Sequence, residues 1–517
     1  MATTDAHTMK DRLLTPGAVR LITDMDDRFG GRRSEVLELA QAKIQRFRTG
    51  EISPLKETER VREEEWTVDP VPAELLERRV ELLGGCARKD LIEGMNAGAK
   101  SYVADLWNMT LSDPFSIMEA HRNLERASDN RLSYVGEDGS RVRINPRSTT
   151  RLMMVPRPLQ VMHPVQIGER NLPASFVDLA LHAEWNAAKL RLRQGGVFLY
   201  LCNVSGHLEA RLWREVFEFL EERLELPRGT FRATVMIDSL AAALEPDEIL
   251  FELMHHSAGL SLAPQSYAAD HIALFSAPDR AVMPDREHIG LNAKYLRSVS
   301  LRVISICHRR QAHAIGAPAF VLPPAEHGVL KPAYLAMIAD KEREAVDGHD
   351  GTLVALSGLV TAAMTEFNKH MPRAHQMFYQ RPDHATVADL IAHPEGPLTT
   401  EGLLSTVRTV LRMMVAQRTG EALVLQGGRL HDRASTRLST LLLWHWTQND
   451  NCHITDTGLE IHADVVKYLI RKEGEKVAAR GLPEHRAIVK HAVDMLTASV
   501  LSPDVPEDLL EDLVPGS

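Results

Sequence analysis

Between about residues 95 and 375, short apolar runs alternate with longer amphipathic ones. The clearest unit opens on Val197–Leu201 (VFLYL), five residues of high β-propensity. A helical pattern follows, with Leu208, Leu212, Val216, Leu220 and Leu224 on one face, and Pro227 and Gly229 end it. Phe231–Ile237 (FRATVMI) then reads as the next strand. Ser101–Leu106, Leu152–Val155, Ile272–Phe275, Ala319–Leu322 and Leu353–Leu356 read as further strands. Alternation sustained over so long a stretch requires a parallel sheet with crossover helices. A closed eight-stranded barrel is the natural architecture at this length, and a doubly wound open sheet is the alternative.

The flanks read differently. The first 90 or so residues are polar and helical in pattern up to a break at Pro70 and Pro72, and beyond about residue 380 the pattern is helical again. A chain of 517 residues is long for one core, which fits a large domain with smaller ones around it. A net charge of -10 gives no electrostatic case for nucleic acid. No apolar run reaches the length of a membrane span, and the start lacks a signal peptide's apolar stretch. Cys86, Cys202, Cys307 and Cys452 are too scattered for a zinc pattern or a disulfide framework. The reading is a reduced, cytoplasmic protein, a monomer or small homo-oligomer.

Several strings resemble those of the malate synthases, which condense acetyl-CoA with glyoxylate. They are NAGAK at Asn96–Lys100 with YVAD at Tyr102–Asp105, HLEARLW at His207–Trp213 and PRGTFRATVMI at Pro227–Ile237. DEILFEL at Asp247–Leu253, SAGL at Ser257–Leu260, CHRR at Cys307–Arg310, AHAIG at Ala312–Gly316 and GHDGT at Gly348–Thr352 follow, and WHW at Trp444–Trp446 comes last. They keep the family's order and nearly its spacing over roughly residues 60 to 450. The resemblance implies a (β/α)8 TIM barrel over residues 93–378, an N-terminal helical clasp over 1–92 and a C-terminal helical plug over 379–517.

A Claisen condensation needs a base for the thioester's weakly acidic α-carbon, positive charge for the enolate and aldehyde, and a grip on the 2-oxo acid. The family supplies an Asp from the plug, a Mg²⁺ held by a Glu and an Asp at strand ends, and an Arg. Its Met-Glu-Asp reads Leu430-His431-Asp432 here, so the resemblance makes Asp432 the base; a helix cap is the ordinary use of such a residue. Its Ile-Glu-Thr reads Ile237-Asp238-Ser239, which keeps an oxygen ligand one methylene shorter. Its second metal ligand aligns without gaps to Ser266. A gapped alignment would instead place Asp270 there, immediately before the apolar run HIALF, read as a strand.

Other charged positions are replaced. The acidic run after Ala-Asp reads Leu106-Trp107-Asn108; Asp105 precedes it, and these positions would border the substrate. The Arg motif reads Val155-Pro156-Arg157-Pro158, with Val155 at the catalytic Arg and Arg157 at the second Arg. The family's Lys of Leu-Pro-Lys is Asn203, and the His of its His-Pro-Gly segment is Leu356. The changes run in one direction, from charged to neutral. They imply a malate synthase-like enzyme acting on a coenzyme A thioester or a related acyl thioester. Malate formation itself should be slow, and Mg²⁺ doubtful even though Asp238 and Asp270 could ligate it. Thioester hydrolysis, a metal-independent aldol step driven by Asp432, or a non-catalytic binding role are the alternatives.

Overall fold

The computed structural model describes residues 13–276, 281–325 and 331–511. Eight parallel strands close into a barrel, each paired with its neighbours in sequence and the last with the first. They are β1 (Arg78–Gly84), β2 (Ser101–Asp105), β3 (Arg151–Val155), β4 (Val197–Leu201), β5 (Phe231–Ile237), β6 (Ser257–Leu262), β7 (Ala314–Ala319) and β8 (Gly351–Val354). The open-sheet alternative is excluded. The barrel begins at Arg78, inside the stretch expected to be clasp.

Alternation along each strand divides two apolar layers. On β3, Met153 and Val155 point to the barrel interior, and Leu152 and Met154 to the surrounding helices. On β4, Phe198 and Tyr200 point inward, while Val197, Leu199 and Leu201 point outward. Both faces of each strand are therefore covered, as an all-parallel sheet requires. The interior also holds a buried ionic group. Arg78 donates to both Glu81 carboxylate oxygens at 2.9 and 3.0 Å, to the Tyr200 hydroxyl at 2.9 Å and to the Ala258 carbonyl at 2.6 Å.

Two of the expected strands differ. Ile272–Phe275 belongs to a helix, Pro264–Phe275, which opens with Pro264 in its first turn. The strand placed at Ala319–Leu322 lies earlier, at Ala314–Ala319.

An N-terminal helix, α1 (Pro16–Arg48), lies across the barrel helices Ala174–Gln194 and His207–Arg223 and reaches α2 (Pro264–Phe275). The C-terminal helices are α3 (Thr400–Thr419), α4 (Arg433–Gln448), α5 (Ala463–Arg480) and α6 (Arg486–Leu501). A short hairpin, Val424–Gln426 with Arg429–His431, ties them to the barrel. The Leu430 N–H donates to the Phe320 carbonyl at 2.8 Å, just beyond β7, and the Arg433 N–H donates to the Asn108 carbonyl at 3.2 Å, just beyond β2. α4 then packs along α2. The C-terminal segment thus rests on the carboxyl ends of the barrel strands. No helix among the described residues is long and apolar enough to cross a membrane. The four cysteines are buried and unpaired.

Candidate active site

A cavity of about 880 Å³ opens at the carboxyl ends of the strands. This is the end of a (β/α)8 barrel where loops of differing sequence can build a site without disturbing the core. Asp105, Trp107, Asn108, Asp238, Asp270 and Asp432 all line it. So do Asn203, Ser205, Ser266 and Gln265, the α1 residues Leu37, Gln41, Ile44 and Arg48, and Arg433, Arg437 and Asp508 of the C-terminal segment.

Asp432 caps α4. Its Oδ1 accepts the Ser435 N–H at 2.8 Å, and the Ser435 hydroxyl accepts the Asp432 N–H at 2.9 Å, a reciprocal capping box. The carboxyl is buried, and burial raises its pKa. The Ser435 hydrogen bonds and the nearby Arg286 guanidinium oppose that rise. Capping and cavity lining are therefore both true of this residue.

Asp105 ends β2. Its Oδ1 accepts the N–H groups of Trp107 and Asn108 at 2.7 and 2.8 Å, which holds the turn leaving the strand. Burial pushes its pKa up to about 6, with the Asp432 carboxylate adding to the rise.

Asp238 follows β5 directly. Its Oδ2 accepts the Asn203 N–H at 2.6 Å, fixing Asn203 in a left-handed conformation with φ of 54°. Burial pushes the Asp238 pKa up to about 7, with Asp270 and Glu209 adding to it. Asp270 projects from the second turn of α2, and its Oδ2 accepts the Leu240 N–H at 2.8 Å. Burial pushes it up to about 6, and Arg48 draws it back.

Asp270 thus reaches the cavity from a helix, and not by preceding a strand as the gapped alignment required. Residues four apart share a helix face, so Ser266 and Asp270 reach the same cavity without any gap. Tyr267, the residue that favours the ungapped alignment, is buried, with its hydroxyl on the Leu390 carbonyl at 3.0 Å.

The donor chemistry suits a hard cation. Two buried carboxylates with raised pKa values line one cavity, and Asp270 adds to the rise at Asp238, so a divalent ion between them would find carboxylate oxygens on both sides. Mg²⁺ commonly takes one or two carboxylates and completes its shell with water. Among the described residues no group of three or more His, Cys, Asp or Glu side chains is arranged to hold a metal ion. The protein would supply two carboxylates and the Ser266 hydroxyl.

Arg157 is absent from the cavity lining. Its Nε and Nη2 donate to the two Asp178 carboxylate oxygens at 2.9 and 2.6 Å, and its Nη2 also lies 2.9 Å from His163 Nδ1. The pair is buried and holds the Asp178 carboxyl well below the usual carboxylate range. An arginine two residues beyond a strand end reads from sequence as a site residue; here it locks the β3 exit to the helix Ala174–Gln194. Val155, which the resemblance sets at the family's catalytic Arg, is buried in the barrel interior.

The charged wall of the cavity was not legible in the sequence. Arg48 arrives from α1, and Arg433, Arg437 and Asp508 from the C-terminal segment, all outside the strand ends where barrel sites are sought. The only local signal was Arg433 beside Asp432.

The family model "Malate synthase, TIM barrel domain" matches residues 152–393. Malate synthase of Myxococcus xanthus is 35% identical over 440 residues, covering 84% of this chain and 81% of that protein. Malate synthase of Streptomyces clavuligerus is 33% identical, covering 97% of this chain and 96% of that one. Malate synthase A of Escherichia coli is 31% identical, covering 92% and 89%.

Proposed function

Because the chain belongs to the malate synthase family, we propose that it carries out a Claisen-type condensation of an acyl-CoA with a 2-oxo acid or aldehyde at the barrel mouth. The observation that carries this reading is the placement of Asp432. Its carboxyl is buried, raised in pKa and set in the wall of a cavity large enough for the reacting end of a thioester and a small acceptor. A desolvated carboxylate is a stronger base than a surface one. Asp432 takes the proton from the thioester α-carbon, and the resulting carbanion adds to the acceptor's carbonyl carbon. Hydrolysis of the product thioester then releases coenzyme A.

Asp105 sits close enough to raise its own pKa against Asp432. It keeps the β2 exit rigid, and with it Trp107 and Asn108, which line the cavity where the acceptor enters. Asp238 and Asp270 would hold a Mg²⁺, which when bound supplies positive charge for the acceptor's carbonyl oxygen. The shortened carboxylate at 238 and the hydroxyl at Ser266 make that ion weakly held. We place the reaction in the cytoplasm.

The test is exchange of α-protons. Acetyl-CoA and longer acyl-CoAs incubated in D₂O with the protein should gain deuterium at the α-carbon, followed by NMR. Release of coenzyme A should follow when a matching 2-oxo acid or aldehyde is added. A chain that neither exchanges α-protons nor releases coenzyme A with any pair is no condensing enzyme.

A further inference from the structure

Arg433 is the first residue of α4 and lines the same cavity as Asp432. Three contacts fix it. Its backbone N–H donates to Asn108, its Nε donates to Asp508 Oδ2 at 2.6 Å, and its guanidinium lies over the Trp107 ring, 3.9 Å from the centroid. The side chain is 6% exposed. Nη2 is shut off from solvent and has no hydrogen-bond partner. A guanidinium is always charged and has no neutral form in which to escape this. A buried, unpaired N–H on a fixed cation is a donor held ready for an acceptor the protein does not provide.

The chemistry of that acceptor follows from position. Arg433 lines the same cavity as the base, so what it binds lies within that cavity. The phosphates of a coenzyme A thioester lie at the far end of a long molecule from its α-carbon. A 2-oxo acid is short, and its carboxylate must sit within a few ångströms of the carbonyl under attack. Val155 offers that carboxylate no charge. We propose that the Arg433 guanidinium receives the carboxylate of the 2-oxo acid acceptor, the cation coming from the C-terminal segment and not from β3. The inference rests on the functional reading above and adds to it the residue that selects the acceptor. Trp107 packs against the guanidinium, and Asp508 anchors its Nε. A planar, stacked cation is the usual partner of a carboxylate.

Binding to the full-length protein tests this without turnover. Titration calorimetry with glyoxylate and with pyruvate, each in the presence and absence of acetyl-CoA, should show binding of at least one 2-oxo acid. Arg433→Gln should weaken it by about 10- to 150-fold, the range for loss of one charge-assisted hydrogen bond. Arg433→Lys, which keeps the charge and most of the stem, should recover part of the loss. Acetyl-CoA affinity should stay within about twofold in both variants, and propanal, an aldehyde without a carboxylate, should not discriminate between them and the parent. Melting temperature reports folding, and Arg433→Lys decides the matter if Arg433→Gln does not fold. Three results overturn the proposal: a parent protein that binds neither 2-oxo acid, variants that bind them as the parent does, or equal loss of acetyl-CoA and 2-oxo acid, which would make Arg433 a structural clamp. Failure of the functional reading would appear separately, as a parent that exchanges α-protons in no acyl-CoA and releases coenzyme A with no pair.

Discussion

Asp432 performs two tasks whose removal can be measured apart. Asp432→Asn keeps an oxygen for the Ser435 N–H but removes the negative charge that takes the proton. Turnover and α-proton exchange should fall by about 10²- to 10⁴-fold, the usual worth of a general base, while the melting curve moves by no more than about 1 kcal/mol of capping energy. Unchanged exchange would reduce Asp432 to its cap. Asp105 gives a prediction in pH. Its pKa is raised from 3.8 to about 6 in the fold, chiefly by burial, so between those values the folded chain holds a proton that the unfolded chain has lost. Stability must therefore decline as pH rises through that window, and the cost remains in full above it. Asp105→Asn keeps the acceptor for Trp107 and Asn108 without the titration. Its stability relative to the parent should rise from about pH 4 to about pH 6 and then level off. Denaturant melts at pH 4, 5, 6 and 7 decide this, and a constant difference would contradict it.

At the level of elements, Arg157 belongs to the joint between β3 and the helix Ala174–Gln194. Arg157→Leu leaves the Asp178 carboxylate buried without its main partner. A loss of about 3–5 kcal/mol in unfolding free energy is expected, the range for breaking one side of a buried pair, with urea unfolding as the measurement. A stable but inactive variant would instead return Arg157 to the site. The same element shows what a sequence hides. Polar residues near a strand end can serve chemistry or a joint, and the Arg157–Asp178 pairing spans a sequence gap that local pattern does not cross. β1 was missed for a related reason: Arg78 and Glu81 make RRVELLG read as a charged surface, although both charges close on each other inside the barrel. HIALF was misread because a short apolar run fits a buried strand or a buried helix face equally well. The strands of the 197–237 unit were legible because their β-rich apolar runs stay buried on both faces and are bounded by clear turn residues.

For the whole molecule, the family's fold is retained, and we propose that several of the charges at its site have been replaced. On the resemblance, Val155, Trp107, Asn108 and Ser266 would stand where the family's chemistry places charge. Malate formation from acetyl-CoA and glyoxylate should therefore run well below about 10 per second, a typical enzyme rate; coenzyme A release followed with a thiol reagent measures it, and turnover near that figure would show that the charges brought by Arg433 and Asp270 are sufficient replacements. Collinear strings made the scaffold readable from end to end. The replacements at the site were less so, because they come from α1, α2 and the C-terminal segment, and only the three-dimensional path brings those to the strand ends.

The cavity wall includes Leu37 of α1 and Asp508, close to the last described residue. During synthesis the first part of that wall leaves the ribosome about 470 residues ahead of the last. At about 5–20 residues per second, the interval is roughly 25 to 100 s. Throughout it a nascent chain can form strands and helices but has no complete place to bind a thioester. Small molecules that favour the folded state by binding at this mouth can therefore act only once both parts of the wall are present, so the barrel and the N-terminal helix must hold together unaided through that interval.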